Sequence, residues 1–185
     1  MDHWERTSRA IDFIEHRLTE PLAIEDIAKC ACFSQFHFQR VFQLIIGQSV
    51  KEYVRGRRLH EATRDYPHND EYRIWPGPNS NTYIAYLGRA VPELSLDLPP
   101  TAIGKDYLPR AGVLAHAPSG SGMQLSIAGL AGVIVAPQEG LEVNVLGLTA
   151  GIDVWPPALK LPGIVRIGWP SESRGGGEGT ATAAQ

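Results

Sequence analysis

Three observations make this an α+β chain, an all-α unit of four helices followed by a small strand-rich, Gly/Pro-rich module. The first is the distribution of helix breakers. Of 19 glycines and 14 prolines, residues 1–66 contain only Gly47, Gly56 and Pro21, and residues 67–185 contain the other 30. In a helix interior glycine costs about 1 kcal/mol and proline about 3 kcal/mol, so long helices belong before Pro67. The second is that apolar residues before this seam recur at spacings of three and four; the third is that after it they alternate. The expected organisation is therefore 1–66 helical, 67–170 strand-rich, and 171–185 a disordered tail of small and glycine residues.

The helices follow in order. From His3 to about Thr19, Ala10, Ile11, Ile14 and Leu18 form one apolar stripe, and Pro21 closes the segment. Ile24, Ile27, Ala28 and Ala31 form a second, short stripe whose cap position, Ala23, has no polar side chain. Cys32 and Phe33 make a tight connection, and Ser34 caps a third helix to about Ile46, buried through Phe38, Val41, Phe42 and Ile45. Gly47 ends it. Ser49 and Glu52 form a capping box for a fourth helix through about Arg64.

Charge sharpens this picture. The chain carries a formal net charge of -3, yet residues 40–64 hold six Lys/Arg against Glu52 and Glu61. A local basic surface therefore sits inside an acidic average. On the third helix the outward face is Gln35, Phe36, Gln39, Arg40 and Gln43. Solvated faces favour Glu and Lys, whereas Gln and Arg each offer paired hydrogen bonds to a base edge in the major groove, and an aromatic ring can pack on a thymine methyl. This is the chemistry of a recognition helix. Lys51, Arg55, Arg57 and Arg58 on the fourth helix suit phosphate contacts.

The stretch Leu22 to Ala62, LAIEDIAKCACFSQFHFQRVFQLIIGQSVKEYVRGRRLHEA, resembles the first helix-turn-helix and linker helix of the AraC/XylS family of bacterial transcription regulators. Ile24 to Ala28, Phe33, Ser34, Phe38, Arg40 and Phe42 carry the match, followed by Gly47, Ser49, Tyr53, Arg55, Arg57, Leu59 and Ala62. The resemblance implies base contacts at Phe36, Gln39 and Arg40 and backbone contacts at Ser34, Gln35 and His37. Two departures matter. Cys32 stands where the family often has glycine in the turn, and no second helix-turn-helix follows Arg64. A lone motif forfeits many phosphate contacts, so weak binding is expected unless the chain forms a homodimer.

In the second part, alternation at Leu94, Leu96, Leu98, at Leu141, Val143, Val145, at Ile152, Val154, and at Val165, Ile167, Trp169 predicts strands. Thr82 to Leu87 is a further strand candidate, and Met123 to Val135 a mixed element. Lys105 to Ser119, KDYLPRAGVLAHAPS, resembles a segment of GyrI-like effector-binding domains, which implies a small-molecule effector without identifying the residues that hold it. Glu142 is a candidate acid of such a cleft.

Other chemistry is weakly signalled. Cys30 and Cys32 lack the second ligand pair that zinc requires, and His37 lacks a partner at ligand spacing. Asp106, His116 and Ser119 have no strand-turn-helix nucleophile context. Trp75, Trp155 and Trp169, each beside a proline, suit packing. No catalytic residues, metal or cofactor are expected. The longest uncharged apolar run, Ile127 to Ala136, is about half of a bilayer span. With two closely spaced cysteines, the expected compartment is a reducing cytoplasm. The function expected is a sequence-specific DNA-binding regulator acting on double-stranded DNA, and no enzyme. A second reading is a small-molecule-binding or non-functional truncated regulator relative with little DNA affinity.

Overall fold

The computed structural model describes residues 2–108, 112–163 and 166–168. Four helices open the chain: α1 (His3–Glu15), α2 (Ile24–Cys30), α3 (Gln35–Ile46) and α4 (Val50–Arg64). The apolar stripes meet in one core of Ala10, Ile14, Ile27, Ala28, Ala31, Phe38, Phe42, Val50 and Val54. Edge-to-face rings extend it, with Phe38 and Phe42 at 5.5 Å between centroids and Phe42 and Tyr53 at 5.6 Å.

Capping sets the boundaries. Reciprocal boxes start α1 (Asp2 with Glu5) and α4 (Ser49 with Glu52). Ala23 at the start of α2 makes no side-chain cap bond, as its apolar side chain requires. Ser34 occupies the cap position of α3 without bonding the helix through its hydroxyl. At the end of α2 the Cys32 N–H donates to the Lys29 carbonyl and the Phe33 N–H to the Ala28 carbonyl, the double closure that requires a left-handed residue between helix and turn. Cys32 supplies it at φ 55°.

Helix α5 (Ser80–Ala90) follows, so the strand expected from Thr82 to Leu87 is corrected to a helix. Its Tyr and Ile content suggested a strand, but Asn79 decides the local structure by accepting from the Asn81 and Thr82 N–H groups. Helix α5 packs on α4 through Ala62, Leu87 and Val91, with Leu59, Tyr83 and Tyr86 around them. Gly88 allows the next layer to approach, because a Cβ there would overlap the Pro118 carbonyl oxygen. The strand expected at Leu94, Leu96 and Leu98 is also absent. A short 3-10 turn, Pro92–Leu94, occupies its start and Ser95 is left-handed at φ 48°.

The rest is a seven-stranded antiparallel meander in chain order: β1 (Leu114–Ala115), β2 (Met123–Ile127), β3 (Ala131–Ala136), β4 (Gly140–Val145), β5 (Leu148–Asp153), β6 (Ala158–Lys160) and β7 (Ile167–Gly168). The element expected at Met123 to Val135 is thus a hairpin of two strands. Val154 lies just past β5, while Val165, Trp169 and the tail 171–185 lie outside the described residues.

The faces of this sheet are inverted relative to an ordinary half-buried sheet. Gln124, Ser126, Glu142, Asn144, Thr149 and Lys160 point inward and are buried. The alternating positions are apolar and exposed, and the register aligns them: Leu125 opposes Val133, which opposes Val143, while Val135 opposes Leu141, which opposes Ile152.

The charged inward groups are paired, whereas Asn144 Nδ2 is buried without a hydrogen-bond partner among the described residues. Glu142, 0% exposed, lies 2.6 Å from Lys105 Nζ and 2.7 Å from Lys160 Nζ. Lys160 also meets Asp153 at 2.9 Å and donates to the Glu139 carbonyl. Burial alone would pull Lys160 down, but hydrogen bonding to Glu142 and the surrounding carboxylates raise it above the ordinary lysine range. Glu142 is therefore a closed ion-pair partner, and no open cleft surrounds its carboxylate.

Candidate nucleic-acid interface

Helix α3 follows the α2 turn with its apolar face locked in the core, so its remaining face must point away from the protein. Gln35, Phe36, His37, Gln39, Arg40 and Gln43 are all exposed. Phe36 is 72% exposed, and the Arg40 guanidinium lies 5.9 Å above its ring. Arg40 has no hydrogen bond or ion pair among the described residues. The three expected base-reading residues are thus displayed together. Leu44, 86% exposed one turn beyond Arg40, extends this face. Its place in an apolar-looking run hid it, although it falls outside the Phe38, Val41, Phe42, Ile45 stripe.

The flanking residues divide. Ser34 and Gln35 are exposed at the start of α3. His37 is exposed, yet its ring packs edge-on against Phe33 at 5.1 Å and lies 5.8 Å from His3. On α4, Lys51 and Arg55 are exposed, with no hydrogen bond or ion pair among the described residues.

Arg57 and Arg58 are held differently. Arg57 donates from Nε and Nη2 to the two carboxylate oxygens of Glu15, each at 2.8 Å. The Tyr53 hydroxyl donates to the same carboxylate at 2.8 Å. The Arg57 hydrogen bond holds the Glu15 carboxyl below the ordinary glutamate range against the opposing effect of burial. Tyr53 is pushed up to about 12, first by burial and then by its bond to Glu15. Arg58 donates to the Leu18 carbonyl at 2.7 Å and the Glu20 carbonyl at 2.6 Å, and pairs with Glu93. These two guanidinium groups clamp α4 to the end of α1 and to the 3-10 turn. Sequence cannot separate them from Arg55, because the distinction depends on Glu15 and Glu93, more than thirty residues away.

The remaining candidates are placed without forming a site. Cys30 is half-buried with Sγ 3.8 Å from the Arg9 carbonyl, and Cys32 is exposed. Ser119 donates to Glu139 from both N–H and Oγ at 2.7 Å, whereas His116 Nδ1 lies 3.2 Å from the Gly122 carbonyl. Among the described residues no three His, Cys, Asp or Glu side chains converge as a metal site would require. No helix among them is long and apolar enough to cross a membrane.

Comparisons with known proteins fall on the same region. The chain is 42% identical over 62 residues to the HTH-type transcriptional regulator YbfP of Bacillus subtilis, covering 34% of this chain and 21% of that protein. It is 40% identical over 58 residues to the HTH-type transcriptional activator AarP of Providencia stuartii, covering 31% and 43%. It is 31% identical over 61 residues to the multiple antibiotic resistance protein MarA of Escherichia coli, covering 33% and 48%. The chain thus spans less than half the length of each of these relatives. A family described as a protein of unknown function (DUF3750) matches residues 29–107. No solved structure matches the chain significantly.

Proposed function

We propose that this chain, whose first 60 or so residues are an AraC/XylS-type helix-turn-helix region, binds double-stranded DNA with α3 in the major groove. The observation that carries this reading is the outward face of α3, where Phe36, Gln39 and Arg40 stand exposed beside Leu44 with no carboxylate partner on Arg40. The groove admits a helix, and Gln and Arg can each make paired bonds to a base edge. Lys51 and Arg55 supply phosphate contacts that hold the helix in register, assisted by Ser34, Gln35 and His37. Arg57 and Arg58 act indirectly, by fixing the angle of α4.

The reading makes residues 1–66 the DNA-contacting unit and residues 67–170 a second module, the place where a small-molecule effector would act. A gel-shift assay with DNA from upstream of the chain's own reading frame, against unrelated DNA of equal length, tests it. Discrete shifted bands on the upstream DNA alone are expected. Equal retardation of both, or none at low salt, contradicts it.

A further inference from the structure

We infer that the apolar face of the seven-stranded sheet is a docking surface for a second copy of this chain, packed sheet on sheet. The inference stands on the sheet alone, whether or not α3 reads DNA.

The face is continuous across the strands. Val133 and Val143 are directly opposed at its centre, and Leu125, Val135, Leu141 and Ile152 surround them, 42–56% exposed. Alternation leaves no charged side chain among these positions. The inward face already holds the buried ion pairs of Glu142, so turning the sheet over would expose no better core. A one-residue register slip is excluded for the same reason.

Area indicates the occupant. The seven strands, two to six residues long and about 4.8 Å apart, present roughly 500 Å² in plan, in the upper half of the range of apolar patches that monomers tolerate. Two such faces in contact bury about 1,000 Å², the least that a specific interface needs. Two identical twisted sheets stack about 10 Å apart with aligned strands, and a two-fold axis makes the contact self-complementary. The chain's own residues 171–185 do not suit the face, since they include no Val, Leu, Ile, Met, Phe, Tyr or Trp.

Sedimentation of the full chain tests this. The wild type should sediment at twice its 20.2 kDa mass at micromolar concentration. Val143→Lys should raise the dimer dissociation constant roughly 100-fold by placing an unpaired charge in the interface. Val143→Thr keeps the β-branched shape and folds as the parent; it should raise the constant about 10-fold by burying a hydroxyl. Arg40→Ala should leave it unchanged, which separates this inference from the DNA reading. A monomeric wild type overturns the inference, including one that floats with phosphatidylcholine vesicles. So does a Val143→Thr chain that dimerises as tightly as the wild type.

Discussion

Cys32 shows how one residue connects sequence, local strain and fold. It lies at φ 55°, where an L side chain costs about 1–2 kcal/mol, because the closure of α2 needs a left-handed residue. Cys32→Gly should therefore raise unfolding free energy by about 0.5–1 kcal/mol in urea titration, the relief being offset in part by glycine's greater unfolded entropy. No gain, or a loss, would mean that the turn tolerates the side chain without strain. Glu15 makes the corresponding case in electrostatics. Its carboxyl is depressed by Arg57, so the folded state binds its proton less readily than the unfolded chain does. That contribution is present above the ordinary glutamate pKa of about 4.3 and is lost as pH falls through the lower folded value. Glu15→Gln should cost about 1 kcal/mol at neutral pH, discounted for partial exposure, and should flatten the acid limb of stability against pH. An unchanged acid limb would remove Glu15 from the account.

At the scale of elements, the four N-terminal helices were legible because each is written locally. Ser49 with Glu52, the Phe38, Val41, Phe42, Ile45 stripe and the stop at Gly47 all act within a few residues, and α3 and α4 run where these signals put them. Helix α5 was not legible, because Thr82, Tyr83, Ile84 and Tyr86 favour strands on composition and only Asn79 and packing on Ala62 and Leu59 reverse that preference. The exposed α3 face followed from periodicity, but the engagement of Arg57 and Arg58 did not, since their partners are distant in sequence. The alternation of β2 to β5 located strands without revealing which face is buried. Polar inward residues become acceptable only because Lys105 and Lys160 reach Glu142 from separate segments. Lys160→Met should therefore destabilise the sheet by about 3 kcal/mol, because it removes the ammonium that Glu142 and Asp153 share and leaves each with a single cation among the described residues, Lys105 and Arg166 respectively. Hydrogen exchange at β4 to β6 would register it, and protection equal to the wild type would refute the claim.

For the whole molecule, an acidic chain with net charge -3 can bind DNA only if its cations are concentrated and free. Arg40, Lys51 and Arg55 meet both conditions, whereas Arg57 and Arg58 are spent on internal contacts. Two phosphate neutralisations, by Lys51 and Arg55, predict a slope of log binding constant against log salt of about -2 per chain, doubled when two chains bind together. A slope near -4 per chain would show that Arg57 and Arg58 leave their protein partners on binding. Sheet-mediated pairing would present two copies of α3.

The most direct test of the central claim is the effect of Arg40→Ala on binding to the preferred upstream site and to random DNA, measured side by side by fluorescence anisotropy at one salt concentration. A base-reading Arg40 predicts that affinity for the preferred site falls by about 10-fold or more while random DNA binding falls far less. Equal losses on both would reduce Arg40 to a phosphate contact and contradict sequence reading by this face of α3.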